Sequence, residues 1–201
     1  MRNDPYFPPG EPRRLIVGIS GATGIAYGIR LLEALRYSDV ESHLVITRPG
    51  LMTLDYETDL TRDDLYALAD TIYPASDVGA AISSGSMITL GMIVAPCAVK
   101  SAAEIASGAT QTLLTRAADV TLKERRRLVL MVRESPLHTG HLRTLTAASE
   151  IGAIIMPPMP AFYPRPETID DMVDHTVGRA LDLFGIEHDL LKRWTGTPEG
   201  R

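Results

Sequence analysis

The sequence holds one cysteine, Cys97, so no disulfide can form within the chain, and a reducing compartment suits it. No apolar run reaches the roughly 18 residues that would indicate a membrane-spanning helix. The first dozen residues, MRNDPYFPPGEP, lack the apolar stretch of a signal peptide and read as a proline-rich, mobile arm; the expected location is the cytoplasm. A basic excess is also missing. Against 20 Lys and Arg stand 25 Asp and Glu, a formal net charge of −5, which argues against a nucleic-acid partner. With 16 glycines and 14 prolines, the chain has too few of either for a collagen-like or low-complexity protein. The histidines, His43, His138, His141, His175 and His188, form no H-x-x-x-H or H-E-x-x-H pair, and no cysteine cluster accompanies them. No metal site is expected.

What is present suits a single globular domain, as 201 residues would predict. We take it as residues 14–194, between the arm (1–13) and a C-terminal tail (195–201). Apolar runs predict strands at 15–19, 43–47, 91–95, 127–132 and 153–156. Helical spacing predicts a helix at 25–36, where Ile25, Ile29, Leu32 and Leu35 share a face. The capping box Thr61-Arg-Asp-Asp64 opens another, to about residue 70. Further helices are predicted at 101–107, 110–118, 137–151, 169–184 and 187–194, and PPMPAFYPRP (157–166) reads as stiff and irregular. This alternation argues for an α/β fold, a parallel sheet with helices on both faces and right-handed crossovers. In such sheets ligands bind at the carboxyl ends of the strands. The loops after Ile19, Thr47, Ala95, Val132 and Met156 are therefore the ones to read.

The first of these carries GISGATG (18–24). Its glycines let backbone approach a ligand, the helix behind it presents N–H groups to an anion, and Ser20 and Thr23 add hydroxyls. It is neither a Walker A motif nor the usual G-x-G-x-x-G, and a tight turn that binds nothing is the other reading. Next, Ser83-Ser-Gly-Ser86 precedes a strand and Pro96-Cys-Ala-Val-Lys-Ser101 follows it. Cys97 reads as a buried small residue, since no histidine is placed to activate it. The charge run 125–127 reads as a solvated face, whereas Arg133 and Glu134 stand at the carboxyl end of a buried strand. Prolines around Tyr163 make either a rigid shelf for its hydroxyl or a loop packed on a neighbouring subunit.

Taken in order, GISGATGIAYGIRLLEAL (18–35), Glu57-Thr-Asp59, Ser84-Gly-Ser86, Pro96-Cys97, Ser107-Gly108, Arg116-Ala-Ala-Asp119, Leu122-Lys-Glu-Arg-Arg126, LVLMVRESP (128–136), Phe162-Tyr163, Arg179 and Trp194 resemble the UbiX/Pad-type flavin prenyltransferases. These belong to the wider group of flavin-containing Cys-decarboxylase-like flavoproteins. The resemblance implies a three-layer αβα subunit, flavodoxin/Rossmann-like with a mostly parallel sheet, assembled as a homododecamer built from trimers. It implies an enzyme that needs no metal and joins the dimethylallyl group of dimethylallyl phosphate to N5 and C6 of reduced FMN. The prenylated FMN would serve a UbiD-type decarboxylase.

By matched position, Gly21, Ala22, Thr23, Thr47, Ser84, Ala98, Val99, Lys100, Ser101, Arg116 and Arg133 would hold FMN. Lys123, Arg133, Tyr163 and Arg179 would hold the prenyl phosphate, and Glu57 and Glu134 would move protons. Donors aimed at the leaving phosphate stabilise the charge that grows there as the C–O bond breaks, most strongly where water is excluded. The cations Arg116, Lys123, Arg133 and Arg179 are expected to converge on one pocket. The sequence departs from the family at Thr23, commonly Ser, and at Ala98, where many members carry a hydroxyl.

Two other functions fit the same scaffold. An FMN-dependent oxidative decarboxylase of a cysteine-containing substrate would carry a His after an early strand and a PASANT-like segment. Here the segment reads APCAVK (95–100), and Thr47-Arg-Pro leads to Glu57 without a His. A non-catalytic FMN-binding partner subunit of a decarboxylase would have no need of Glu57, Lys123, Arg133, Glu134, Tyr163 and Arg179. We predict that the purified protein retains or rebinds FMN at micromolar concentration, equally well with a chelator present. Fluorescence titration checks this, and an absence of FMN binding would contradict it.

Overall fold

Burial with a period of two builds the sheet. In β1 (Arg13–Ile19), Leu15, Val17 and Ile19 enter one hydrophobic core and Ile16 enters another on the opposite face. A strand apolar on both faces belongs inside a parallel sheet covered on both sides. β2 (Val40–Ile46), β4 (Gly91–Cys97) and β5 (Arg127–Val132) follow the same rule; Val129 and Met131 face one core, and Leu128, Leu130 and Val132 the other. With the edge strands β3 (Thr71–Pro74) and β6 (Ala153–Ile155), they form a six-stranded sheet in the order β3-β2-β1-β4-β5-β6, parallel at every pairing. The computed structural model describes residues 10–191, 193 and 196. Residues 1–9 of the expected arm, Trp194 and all of the tail but residue 196 lie outside the described residues.

One helical layer contains α1 (Ile25–Leu35), α2 (Arg48–Glu57), α3 (Arg62–Tyr66) and α7 (Ile169–Asp182), which feed Leu32, Leu54, Leu65 and Val177 into the first core. The other contains α4 (Val99–Ser107), α5 (Leu113–Lys123) and α6 (Thr139–Glu150), which feed Ala102, Leu114 and Ala148 into the second. Arg30 of α1 grips Asp174 of α7, and that hydrogen bond holds the guanidinium above its ordinary pKa. The result is the flavodoxin-like αβα architecture expected from the alternation and the resemblance.

The chain runs outward from β1 to β2 and β3, then crosses back to β4 on the other side of β1. At such a switch point the two connections diverge and leave a crevice outside the carboxyl ends of the strands. Gly28 sets the depth of α1 over this point. A Cβ there would lie 2.4 Å from the carbonyl oxygen of Ala95 and 2.8 Å from Ile19 Cδ1.

Several elements differ from the sequence expectation. α2 and β3 were not predicted, α3 stops at Tyr66 instead of reaching residue 70, and α5 starts and ends later than 110–118. The described residues of 187–194 are not helical. The Gly28 contact yields a test. Gly28→Ala must push α1 off β4, which should lower stability by about 1–3 kcal/mol. The midpoint of urea unfolding reads this, and an unchanged midpoint would show that the helix–strand spacing is slack.

Candidate functional site

Ser20 joins the two loops of the crevice. Its N–H and its hydroxyl both donate to the carbonyl of Pro96, at 3.1 Å each, and its hydroxyl accepts from the N–H of Ala98 at 2.7 Å. At 1% exposure the hydroxyl is committed within the protein, so it is not the ligand donor the sequence reading allowed. Thr47 N–H donates to the Ile19 carbonyl (2.9 Å), and Arg133 N–H to the Cys97 carbonyl (3.0 Å). The loops after β1, β2, β4 and β5 are thus laced together. They carry Gly21, Ala22, Thr23, Thr47, Ala98, Val99, Lys100, Ser101, Arg133 and Glu134 to one edge of the sheet. Gly21 is pressed on the first turn of α2, where a Cβ would meet Pro49 Cβ at 2.3 Å. Thr47 also caps α2 by accepting from Gly50 N–H.

Two helix N-termini point into this crevice, and they are in different states. At α1, the N–H groups of Gly24 and Ile25 donate to Glu57 Oε2 at 2.8 and 3.0 Å. A carboxylate at this place satisfies free N–H groups and meets the positive end of the helix dipole. The glycine loop therefore does not offer these donors to a ligand, and Glu57, the last residue of α2, caps α1. At α4, the cap residue Ala98 contributes no side-chain hydrogen bond. Lys100 stands exposed in its first turn, 3.3 Å from Glu104, and Ser101 is buried beside it. An uncapped helix N-terminus with a hydroxyl and an ammonium nearby fits a phosphate group such as that of FMN.

Other expected residues lie elsewhere. Lys123 closes α5 and pairs with Glu124 next to Gly85. Ser84 and Ser86 share a hydroxyl contact at 2.8 Å. Arg126 donates to the carbonyls of Gly85 (2.9 Å) and Met87 (2.6 Å), so this member of the charge run is a strut for the serine loop instead of a solvated charge. All of these precede β4 and β5 and sit at the amino ends of the strands. The 6 residues of β5 put Arg133 about 20 Å from that end, at ~3.3 Å per residue. Arg116, one turn into α5, pairs with Asp119 at 2.9 Å. One subunit does not make Arg116, Lys123, Arg133 and Arg179 converge, contrary to expectation.

The last group is on α7. Tyr163 Oη lies 2.9 Å from His175 Nε2, with the rings edge to face. Arg179, four residues after His175, donates to Asp182 Oδ2 at 2.7 Å. Asp182 also receives Arg193 (2.7 Å) and His188 (3.2 Å). Burial works to raise the Asp182 pKa, but hydrogen bonds from Arg193, His188 and Arg179 outweigh it and hold the carboxyl below the usual range. Burial, then the charge of Arg179, pushes the His175 imidazole below its ordinary value. In the sequence His175 figures only among the histidines tested for metal-ligand spacing; its i,i+4 spacing from Arg179 is the signal that places the two on one face of α7. Among the described residues no group of three or more His, Cys, Asp or Glu could hold a metal ion.

The flavoprotein family profile matches residues 9–181. The flavin prenyltransferase UbiX of Escherichia coli (strain K12) is 56% identical over 187 residues, 92% of this chain and 99% of that protein. The crystal structure of AnUbiX (PadA1) in complex with FMN and dimethylallyl pyrophosphate is similar with a TM-score of 0.92 and 46% identity, over 94% of this chain and 100% of that one. A dodecameric FMN-dependent UbiX-like decarboxylase from Escherichia coli O157:H7 gives a TM-score of 0.89 and 50% identity, over 91% and 100%.

Cys97 lies on the floor of the crevice with no exposed surface, its Sγ 3.6 Å from the Ala98 carbonyl. Burial pushes the thiol up to about 12, so it carries almost no thiolate at neutral pH and is no nucleophile. In the folded protein at pH 8 it should resist iodoacetamide over hours and react at once in denaturant. Mass spectrometry reads the adduct, and rapid labelling of the native protein would contradict the burial.

Proposed function

The chain belongs to the flavoprotein family, among the UbiX flavin prenyltransferases, and we propose that it joins a dimethylallyl group from dimethylallyl phosphate to N5 and C6 of reduced FMN. The feature that supports this reading most is the crevice, where four laced loops surround the N-terminus of α4, whose cap residue Ala98 makes no side-chain hydrogen bond to it. The backbone of Ala98, Val99, Lys100 and Ser101 would hold the FMN phosphate. Gly21, Ala22, Thr23, Thr47 and Arg133 would line the rest of the flavin. When bound, reduced flavin supplies the electron-rich positions to which the prenyl carbons attach.

The chain's own residues supply charge and protons. Arg133, Tyr163, Arg179 and Lys123 would neutralise the phosphate as it leaves, and Glu57 and Glu134 would take and return protons. Lys123, with Ser84 and Arg116, would reach the ligands from a neighbouring subunit, because within one subunit Lys123 and Ser84 stand at the wrong end of the sheet. An assembly like that of the dodecameric relative provides such neighbours. Exposed Met159, Phe162 and Ile169 form apolar surface suited to being covered by them. In this reading residues 14–194 are one FMN-binding domain, the enzyme works in the cytoplasm, and a UbiD-type decarboxylase takes the product. No helix among the described residues is long and apolar enough to cross a membrane.

The test is anaerobic incubation with reduced FMN and dimethylallyl phosphate, with the pyrophosphate in parallel, followed by mass spectrometry of the flavin. Flavin left unmodified by both donors would overturn the reading. In the same assay Glu57→Gln should keep FMN affinity within a few-fold and slow transfer at least about 10²-fold, the loss expected for general acid–base help. Arg179→Ala should cost about 10²–10³ in rate with FMN affinity likewise kept, as for a lost donor to developing charge. A Glu57→Gln enzyme that is only less stable, at full rate, would reduce Glu57 to the cap of α1.

A further inference from the structure

After α7 the chain folds back onto the helix, and Gly178 makes the room. A Cβ on Gly178 would lie 2.7 Å from His188 Cε1 and 2.8 Å from Leu191 Cδ2, so the returning segment packs directly on the helix. His188 is buried there, and its Nδ1 accepts the Leu190 N–H at 3.2 Å. Nε2 therefore carries the ring proton and donates it to Asp182 Oδ1, also at 3.2 Å. The contact fixes a carboxylate in the last turn of α7 whose side chain is 15% exposed.

Two arginines meet on that carboxylate. Arg179 Nη1 donates to Oδ2 at 2.7 Å, and Arg193 forks across both oxygens, to Oδ1 at 2.7 Å and Oδ2 at 3.2 Å. Among the described residues neither arginine pairs with any other carboxylate, so two positive charges share one negative charge. Both guanidiniums keep further N–H groups beyond those spent on Asp182, on side chains 51% and 63% exposed. Adjacent guanidiniums with a charge to spare suit the oxygens of a phosphate, which accept such donors in pairs. We propose that Arg193 is a second phosphate-binding arginine, gathered beside Arg179 by Asp182, and that the two together hold the phosphate of the prenyl donor. Asp182 positions both and touches no ligand. Arg193 makes and breaks no bond; it adds positive charge where the departing phosphate gains negative charge. The inference rests on the prenyl-transfer reading above and on the place of Arg179 in it.

Arg193→Gln keeps an N–H donor for Asp182 and removes the charge, so it spares the tie between the returning segment and α7. Prenylation of reduced FMN is followed in single turnovers at increasing dimethylallyl phosphate. The concentration giving half-maximal rate should rise about tenfold in this variant, the low end for a charge-assisted hydrogen bond, with FMN affinity and the urea midpoint unchanged. Arg193→Lys keeps the charge and loses the fork, and should recover most of the donor affinity. A residue that only tied the chain end to α7 would lower the urea midpoint or the maximal rate and leave donor affinity alone. Wild-type donor affinity in Arg193→Gln, whatever its maximal rate, or a loss in Arg193→Lys as large as in Arg193→Gln, would overturn the proposal. Unmodified flavin from the wild-type protein would instead take down the prenyl-transfer reading itself.

Discussion

The hydroxyl of Ser20 is the joint on which the crevice depends. At a switch point the connections leaving adjacent strands run apart, and beyond the Gly18–Val94 rung the backbone adds the bond from Ser20 N–H to the Pro96 carbonyl. The Ser20 hydroxyl ties the loops further by donating to Pro96 and accepting from Ala98. Buried groups of this kind cost about 1–3 kcal/mol each when left unpaired, so the two loops are not free to separate. The bond to Ala98 also orients the start of α4. A helix whose first residues are fixed by a buried hydroxyl, and whose cap side chain is a methyl group, must present its free N–H groups to whatever enters the crevice.

The contrast with α1 follows from the same physics. Two positive helix ends side by side in one crevice would both attract anions. Glu57 quenches one of them from within the protein, leaving α4 as the open site. The same carboxylate is proposed to move a proton. Any excursion of Glu57 toward the flavin uncovers the N–H groups of Gly24 and Ile25, so its chemistry and the integrity of the first turn of α1 are coupled. The rigid placement of α1 limits how far that turn can relax, since Gly28 already lets the helix touch the Ala95 carbonyl.

What was legible in the sequence is what short-range pattern encodes. The boundaries of β5 could be read from RLVLMV alone, and α1 from its apolar stripe, because burial repeats at the period of the element. α2 was hidden by Pro49-Gly50, which looks like a break. In fact proline suits the first turn of a helix, and Gly50 is needed where a Cβ would sit 3.0 Å from the Ile19 carbonyl. β3 was hidden by its length and by Pro74, tolerated because the strand is at the edge. In the site, the loops at the carboxyl ends of the strands were legible, but contacts between distant residues were not. Glu57 capping a helix that begins 32 residues earlier, Arg126 propping the serine loop and Tyr163 meeting His175 are tertiary facts without a local signature.

The division of the cations between the two ends of the sheet is the most consequential of these facts. Glu57, Arg133 and Glu134 stand at the carboxyl ends and Lys123 at the amino ends, separated by the length of β5, which no side chain spans. Tyr163 and Arg179 are exposed on α7 and its preceding loop. In an isolated subunit each of these donors would work in water, where its interaction with a phosphate is weak. Packing subunits so that the amino end of one covers the carboxyl end of the next would bring the donors together and remove that water in a single step. Assembly is then part of the chemistry in this reading, because it supplies the low-dielectric surroundings in which a lysine, two arginines and a tyrosine can stabilise a departing phosphate.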